Sequence, residues 1–518
     1  MTLLTEPPVT LPGSPPAVAL HRPMPSTGWR GWMGPLAVTV LAGILRLWDL
    51  GRPHAIIFDE TYYVKDALSL LRFGYERSAV QDADAQILAS GGPWDTVGIF
   101  QDGASFVVHP PLGKWVIAAG EWALGVDPTG WRVGVAILGT FSVLIVARMI
   151  RRLTRSDVVG TVAGLLVALD GIHLVLSRSA LLDMTLFFAV VAAFAMLLVD
   201  RDSVRRRADS WLTLWDGQAV AVGPGFGLRP WRIGAGVALG AACATKWSGL
   251  WFVAAFGVLS VFWDYQARRA MGVQRPATGV LVRDAGPALL SLVGVAGVVY
   301  VASWTGWLAT DGGYDRQWAA GRGGVLPEAL RSLVEYHRAA WAFHVSLDSF
   351  HSYQSSAWSW PFMTRPTSFY YDTPQGCGAD RCSAEVLALG NPVIWWAGLL
   401  ALGHNAWRAV AGRDWRSGAL LVGYLAGWAP WMLYHDRTIF TFYAVVMLPF
   451  LAGMLAISLA SLAGGADASP TRRRWGLIGA GCVLVLVVAA AWFFYPIWTG
   501  QLLTYEHWDW RMWMPTWV

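Results

Sequence analysis

The chain has 518 residues, of which 55% are hydrophobic and only 14% charged, and its formal net charge is +5 at pH 7. So few charged side chains exclude an ordinary set of soluble domains. Apolar segments of roughly 20 residues, the length that crosses a bilayer as a helix, recur from the thirties to the end of the chain. The positive charge comes from arginines in short loops between these segments, which indicates membrane topology and not nucleic-acid binding.

The first segment, residues 1–30, is rich in Pro, Ser and Thr and lacks the continuous apolar core of a signal peptide. We predict a disordered cytoplasmic tail there. Eleven spans follow, so the expected fold class is an all-α integral membrane protein. The predicted spans lie near residues 31–49, 131–150, 158–176, 180–199, 231–246, 247–264, 285–309, 391–409, 417–434, 440–463 and 475–499.

The charges of the loops predict the orientation of these spans. With the N-terminus in the cytoplasm, the inner loops include "RMIRRLTRSD" and "SPTRRRW", which are arginine-rich as cytoplasmic loops usually are. The opposite loop, residues 50–108, carries eight acids against four Lys and Arg residues. This topology requires that residues 109–125 do not cross, and we predict an interfacial helix outside. The active site and the C-terminus are then expected on the outer face of the cell membrane.

Four parts are expected along the chain. The tail is followed by a membrane module, residues 31–309, whose first outer loop, residues 50–130, carries the catalytic groups. An outer segment, residues 310–390, is too polar to span and is predicted to cover the site. Residues 391–518 form the C-terminal helices and an outer tail.

Two cysteines close the short sequence "CGADRC" in the outer segment. An oxidising exterior favours a disulfide between Cys377 and Cys382, and two free thiols are the alternative. The other two cysteines, Cys243 and Cys482, fall in predicted spans.

Charged side chains collect on the predicted outer face. The stretch "IFDETYYVKDA" places Asp59 and Glu60 just after the first span, and several cations occupy the same side. Each cation alone also fits a snorkelling side chain or an ion pair, such as Arg178 with Asp183. The cations are His109, Lys114, Arg132, Arg178, Lys246 and Arg437.

Together these groups suit transfer from a lipid phosphate to a hydroxyl. A carboxylate can accept the hydroxyl proton while cations hold the departing phosphate. The sequence has no Walker-type loop, no GxSxG, no HExxH and no obvious histidine cluster for a metal. We therefore expect no required cofactor and no dedicated metal site, with a divalent ion between Asp59 and a donor phosphate as the alternative.

Seven short sequence motifs occur along the chain in the order in which one protein family has them. The chain resembles the protein O-mannosyltransferases, polytopic enzymes of the GT-C glycosyltransferase fold, in their bacterial, actinobacterial-type form. The motifs are "FDETYY", "VHPPLGKW", "GWRVGVAILGT", "LDGIHLVLSRSALLD", "TKWSGLW", "FHSYQSSAWSWP" and "LGNPVIWW".

The resemblance implies an activity and its substrates. Mannose would pass, with inversion, from polyprenyl phosphate mannose to Ser or Thr hydroxyls of secreted proteins on the outer face. The implied partners are the lipid-linked donor, the protein acceptors, membrane lipid and the protein translocation channel, with no nucleic acid.

The resemblance also implies roles for particular residues. Asp59 would be the base and Glu60 a supporting or acceptor-binding residue. The pattern at His351, Tyr353 and Ser355 implies an acceptor or loop site, for which interfacial packing of the neighbouring tryptophans is the alternative. The implied contacts to the donor phosphate are His109, Arg132, Arg178, Lys246 and Arg437.

Two departures from the family pattern limit what the resemblance carries over. The outer segment has no room for the β-trefoil domain of eukaryotic relatives. A His-Tyr pair of many relatives is replaced here by Thr441, Phe442 and Tyr443, so no role of that histidine can be transferred.

Two other functions remain as alternatives. A GT-C enzyme could use the same donor to glycosylate a lipid or a cell-wall glycan. A transporter or lipid flippase is more remote, since it predicts charges in the middle of spans and an inverted repeat.

Overall fold

The computed structural model describes residues 20–214, 219–434, 436–465 and 467–518. Most of the predicted tail, residues 1–19, lies outside the described residues. At its far end, the backbone N–H groups of Leu20 and His21 donate to the two carboxylate oxygens of Asp209, at 2.7 and 2.8 Å. These two residues are therefore held against a long helix, in contrast to the predicted disorder.

Helices make up most of the described chain, and we number them in order. They are α1 (Arg30–Leu47), α2 (Glu60–Phe73), α3 (Ala83–Ser90), α4 (Leu112–Leu124), α5 (Pro128–Thr154), α6 (Asp157–Ala168), α7 (Gly171–Ser177), α8 (Asp183–Thr213), α9 (Pro230–Cys243), α10 (Gly249–Ala270), α11 (Pro276–Ser303), α12 (Thr305–Ala309), α13 (Glu328–Ser346), α14 (Pro392–Val410), α15 (Trp415–Trp428), α16 (Thr441–Ala463), α17 (Pro470–Trp498) and α18 (Tyr505–Asp509).

The predicted multi-pass helical architecture is confirmed. Within the described part of the chain, α5, α8, α10, α11, α16 and α17 are long and apolar enough to cross a membrane. The pair α6 and α7, bent by 64°, would make a seventh span. The remaining predicted spans coincide with α1, α9, α14 and α15, which are shorter or less apolar, so the count of eleven stays a prediction.

The segment predicted to be interfacial forms α4. At about 1.5 Å per residue, its 13 residues reach only about 20 Å, less than the thickness of the hydrocarbon core. A short helix of this kind lies at the surface more readily than it crosses.

Burial separates central helices from peripheral ones. In their most apolar windows, 72% of α8 and 78% of α16 is buried inside the protein, against 17% of α11 and 22% of α17. The apolar faces of α11 and α17 therefore remain for lipid, whereas α8 and α16 form the packed centre.

Two small antiparallel sheets lie outside the helical core. The first pairs β1 (Arg77–Ala79) with β2 (Phe100–Ala104). The second has the order β3 (Thr367–Asp372), β4 (Cys382–Ala388) and β5 (Leu502–Thr504). Because β5 pairs with β4, the outer segment and the C-terminal tail lie on one side of the molecule. The predicted disulfide between Cys377 and Cys382 is present and closes the connection between β3 and β4.

A buried carboxylate joins the bent helix pair to α14. Asp170 caps α7 by accepting from the His173 backbone N–H at 3.1 Å. Its other oxygen accepts from the backbone N–H of Asn391 at 3.0 Å and from the Trp395 indole N–H at 2.8 Å. All four residues are buried, so these three donors depend on one side chain.

We expect Asp170→Ala to destabilise the protein strongly. The substitution leaves three buried donors without an acceptor, each at a cost of about 1–3 kcal/mol, so the free energy of unfolding should fall by about 3 kcal/mol or more. Unfolding of the purified protein in detergent measures this loss. The control is Asp127→Ala, because Asp127 caps only its own helix α5 and should cost about 1 kcal/mol. Equal losses in the two variants would contradict the prediction.

Candidate active site

The adjacent acids Asp59 and Glu60 stand at the start of α2 and have different surroundings. Asp59 is the N-cap residue, but its side chain makes no capping hydrogen bond. It is half-buried, whereas Glu60 is fully buried. Of these two adjacent carboxylates, that of Asp59 therefore remains partly accessible and that of Glu60 is enclosed by protein.

The Glu60 carboxylate is saturated by protein donors. Its oxygens accept from Nε and Nη2 of Arg132, both at 2.8 Å. They also accept from the backbone N–H groups of Ile57, at 3.0 Å, and Ala180, at 2.9 Å. This arrangement differs from the implied role as an acceptor-binding residue. Glu60 instead ties the first outer loop to α5 and to the turn before α8.

Arg132 has no N–H group left for a phosphate. Besides its bonds to Glu60, it donates to the backbone carbonyls of Pro53 at 2.9 Å, Ala55 at 2.8 Å and Leu50 at 3.4 Å. All five N–H bonds of the guanidinium are then used, and the side chain is completely buried. Arg132 therefore holds the first outer loop in place and does not make the implied contact to the donor phosphate.

Arg178 also donates to backbone carbonyls, while its Nε is buried without a hydrogen-bond partner within the described residues. Its guanidinium donates to the carbonyls of Arg46 at 2.9 Å, Trp48 at 2.8 Å and Asp49 at 2.7 Å, at the C-terminal end of α1. A cation at a helix C-terminus satisfies free carbonyls and complements the helix dipole. Lys114 is also engaged, with Asp66 at 3.1 Å and Glu76 at 2.7 Å. None of these cations lines the cavity described next.

The other predicted cations meet at a cavity of about 280 Å³. Lys246, Arg437 and His109 line it, together with Asp183 and with His344, which the sequence did not single out. Tryptophan and aliphatic side chains form most of its wall. The main apolar contributors are Trp247, Leu250, Trp251, Phe252, Trp341, Trp431 and Val446.

Lys246 lies in the turn between α9 and α10 and is held at one wall of the cavity. Its Nζ is 2.7 Å from Oδ2 of Asp183, at the start of α8, and 5.1 Å from the ring centroid of Tyr443. Asp183 therefore pairs with Lys246, and not with Arg178 as the alternative interpretation of that cation supposed. An ammonium has three N–H bonds, so two remain after this contact.

Arg437 is positioned by a histidine of the outer segment. Its Nη2 donates to Nδ1 of His344 at 3.1 Å, and Nε2 of His344 donates to the carbonyl of Val108 at 3.1 Å. These two bonds define a neutral imidazole. Burial, followed by the nearby Arg437 charge, lowers the pKa of His344 to about 4, which agrees with this protonation state. The Nε of Arg437 is buried without a hydrogen-bond partner within the described residues.

His109 contributes a hydrogen-bonding group but no positive charge. Its ring lies 5.4 Å from that of His344, and its Nδ1 is buried without a partner in the described part of the chain. Burial first, and then the positive charge of Lys246, hold the pKa of His109 well below its usual value. The imidazole is therefore neutral at pH 7.

Asp59 has the protonation behaviour of a base. Burial raises the pKa of Asp59 to about 6; Lys246 opposes this rise and Asp183 adds to it. The carboxyl is still mainly ionised at neutral pH, yet it binds a proton more tightly than an exposed aspartate does. This is the combination that general-base catalysis requires.

The residue before Asp59 has an unusual backbone conformation. Phe58 has φ of +47°, a left-handed conformation that costs a bulky residue about 1–3 kcal/mol. Its ring stacks on Phe369 at 4.7 Å and meets Phe440 and Phe442 edge-on, each at 5.7 Å. Such ring pairs contribute about 0.5–1.5 kcal/mol each, enough to offset the strain. We call these four phenylalanines the aromatic cluster.

The residues of the pattern at His351, Tyr353 and Ser355 have different surroundings in the structure. His351 meets the ring of Phe58 at 6.2 Å, so it lies beside the residue that precedes the base. Its Nδ1 accepts from the backbone N–H of Tyr353 at 3.1 Å. Ser355 is buried, and its hydroxyl accepts from the Trp360 indole N–H at 3.0 Å. Ser355 therefore serves packing, as the alternative interpretation supposed, while His351 lies close to the site.

The donor set for a metal ion is poor. Among the described residues, no group of three or more His, Cys, Asp or Glu is arranged to hold one. Asp183, the acid on the cavity wall, is already paired with Lys246. We derive no step through a metal.

Solved structures place this fold among membrane glycosyltransferases. The Saccharomyces cerevisiae protein O-mannosyltransferase Pmt1-Pmt2 complex bound to the sugar donor is similar with a TM-score of 0.72 at 14% identity, over 95% of this chain and 93% of that one. The archaeal oligosaccharyltransferase AglB from Archaeoglobus fulgidus is similar with a TM-score of 0.51 at 14% identity, over 91% and 56%. The class defined by the fold is therefore the GT-C glycosyltransferases.

Sequence comparisons narrow this class to one family. Residues 36–229 match the family model of dolichyl-phosphate-mannose-protein mannosyltransferases, and residues 329–517 match that of the C-terminal four TMM region of protein-O-mannosyltransferase. Proteins named polyprenol-phosphate-mannose--protein mannosyltransferase are 40% identical in Mycolicibacterium smegmatis, over 94% of this chain and 93% of the relative, and 38% identical in Mycobacterium tuberculosis, over 98% and 96%. The chain belongs to the protein O-mannosyltransferase family.

We expect Arg132→Ala to act on stability before it acts on catalysis. Removing one partner of a buried pair leaves Glu60 charged and unpaired, which costs about 3–5 kcal/mol. Unfolding in detergent should show this loss, and a smaller folded fraction in membranes should accompany it. Arg437→Ala is the matched control, because Arg437 is only half-buried and should change stability by less than about 1 kcal/mol. A fully stable Arg132→Ala protein would refute the structural assignment.

Proposed function

We propose that this protein transfers mannose from polyprenyl phosphate mannose to Ser or Thr hydroxyls of secreted proteins, with inversion at the anomeric carbon. The observation that carries the proposal is a cavity with one cationic end and apolar walls, in which Lys246 and Asp183 on the wall are also the charged groups that act on the Asp59 carboxylate. Family membership supports the choice of donor and acceptor, because the relatives are named for them.

The cavity suits an amphipathic donor. Within the described residues, Nε of Arg437 and Nδ1 of His109 are buried without a hydrogen-bond partner, and Nζ of Lys246 keeps two N–H bonds beyond its contact with Asp183. An anion such as a phosphodiester would accept from the two cations. The opposite walls are apolar, so an isoprenoid chain lies along them without loss of hydrogen bonds. A single lipid phosphate sugar satisfies both ends.

The reaction is a single displacement. The Asp59 carboxylate accepts the proton of the acceptor hydroxyl as the new oxygen–carbon bond forms at the anomeric carbon. The bond from that carbon to the phosphate oxygen breaks on the opposite face, which inverts the configuration. Polyprenyl phosphate leaves with an additional negative charge, and Lys246 and Arg437 stabilise this charge.

We place this site and the C-terminus on the outer face of the membrane and the N-terminus in the cytoplasm. The contact of Phe58 with Phe369 joins the first outer loop to the segment with the disulfide, and disulfides persist on the oxidising side. The arginine-rich loops agree with a cytoplasmic location for the other ends. Secreted acceptors would then reach Asp59 as they leave the translocation channel.

We expect Asp59→Asn to abolish transfer while the donor still binds. The assay measures labelled mannose passing from polyprenyl phosphate mannose to a Ser/Thr-rich peptide in membranes, with donor binding measured separately. The wild-type rate should fall as pH drops through about 6, because protonation removes the base; above this pH the carboxylate is ionised and the rate levels off. The asparagine variant should fall by at least about 10²-fold at every pH.

The same assay separates the alternatives. Asp59→Asn that retains wild-type transfer would refute Asp59 as the base. Label that enters a lipid or glycan, with none in peptide, would retain the chemistry and replace the acceptor.

We propose that protein cations, and no required divalent metal, stabilise the leaving phosphate. A chelator such as EDTA should then change the transfer rate by less than about twofold. Lys246→Met should lower the rate by about 10²-fold or more, because it removes the charge nearest the reacting phosphate. A rate that EDTA abolishes and added Mg²⁺ or Mn²⁺ restores would overturn this proposal.

A further inference from the structure

We propose that Phe58 is a positioning residue, which sets the direction of the Asp59 carboxylate because the aromatic cluster holds the Phe58 backbone in the left-handed conformation. The inference rests on the proposed function, since it assumes that Asp59 is the base. It goes further by assigning to the outer segment a part in assembling the catalytic loop.

The backbone on both sides of Phe58 and Asp59 is fixed. Glu60 is locked by Arg132, and its carboxylate also holds the backbone N–H of Ile57 at 3.0 Å. The Ile57 carbonyl accepts from the Glu60 N–H at 2.9 Å, which closes a tight turn. Two residues lie inside this turn, and Asp59 has ordinary helical angles. The direction of the Asp59 side chain therefore depends on the torsions of Phe58.

A phenylalanine does not adopt φ of +47° without support from its surroundings. Within the turn, the Phe58 carbonyl accepts only a long hydrogen bond from the Thr61 N–H, at 3.3 Å. The specific support lies at the ring, which is stacked at 4° on Phe369 and edge-on to Phe440 and Phe442. Relaxation to a right-handed or extended conformation would turn the ring out of this cluster.

The cluster brings together parts of the chain that are far apart in sequence. Phe369 belongs to β3, only 4% exposed, and Phe442 belongs to the start of α16, only 1% exposed. β3 is held in turn by β4, the disulfide and the C-terminal strand β5. The strained conformation therefore forms only when the outer segment and the C-terminal tail are folded over the first loop.

The test compares variants on both sides of the stacked pair, with peptide transfer and donor binding measured for each. Phe58→Leu and Phe369→Leu should each lower kcat by about 10- to 100-fold while the donor KM changes less than about threefold. Because both act through one contact, the double variant should be no slower than the slower single variant. Phe58→Tyr keeps the ring and should keep most of the activity.

The matched control is Phe73→Leu. Phe73 is the last residue of α2, at the opposite end of that helix from its N-cap Asp59, and its ring packs edge-on against that of Phe100 at 5.5 Å. This variant should retain wild-type kcat. Unfolding in detergent should show that Phe58→Leu and Phe73→Leu are comparably folded, so that a loss of kcat in the former reports on positioning.

Some results would overturn the inference. Phe58→Leu or Phe369→Leu with wild-type kcat would do so, as would losses of kcat and donor binding in parallel, or losses that multiply in the double variant. Asp59→Asn in the same assay separates this failure from that of the proposed function. An active asparagine variant refutes the base itself, whereas an inactive one beside an active Phe58→Leu refutes only the role of Phe58.

Discussion

The buried ion pair of Glu60 with Arg132 is the interaction on which the rest of the site depends. A carboxylate and a guanidinium without solvent are stable together only when every remaining lone pair and N–H finds a partner. Here the pair draws in the carbonyls of the first outer loop and a backbone N–H from the turn before α8. The loop is thereby fastened to the membrane helices at the residue next to the base.

Because of this ion pair, the adjacent acids Asp59 and Glu60 have different roles. Glu60 is saturated and cannot take part in proton transfer, whereas Asp59 makes no capping bond and is left for the substrate. A helix N-terminus would ordinarily use such an aspartate as its cap. The pair with Arg132 supplies the order that a cap would otherwise provide, and it leaves the base free.

The cavity combines side chains from two segments between helices and from the outer segment. Lys246 comes from the turn before α10, Arg437 from the segment before α16, and His344 from α13. The two histidines are neutral, so the positive charge that faces a lipid phosphate is concentrated on Lys246 and Arg437. The outer segment completes the wall and, through the aromatic cluster, contacts the loop that carries the base.

The sequence by itself determined the helical membrane class, the disulfide and the acid pair. These follow from local properties: runs of apolar residues, charges in loops, cysteine spacing and adjacent side chains. It also identified the cations of the outer face, but it could not separate Lys246 and Arg437, which line the cavity, from Arg132 and Arg178, which do not. Which cations reach the cavity depends on the carbonyls and carboxylates that packing brings to the others. Only the tertiary structure supplies those partners, since they come from residues as far apart as Glu60 and Ala180, or Phe58 and Phe369.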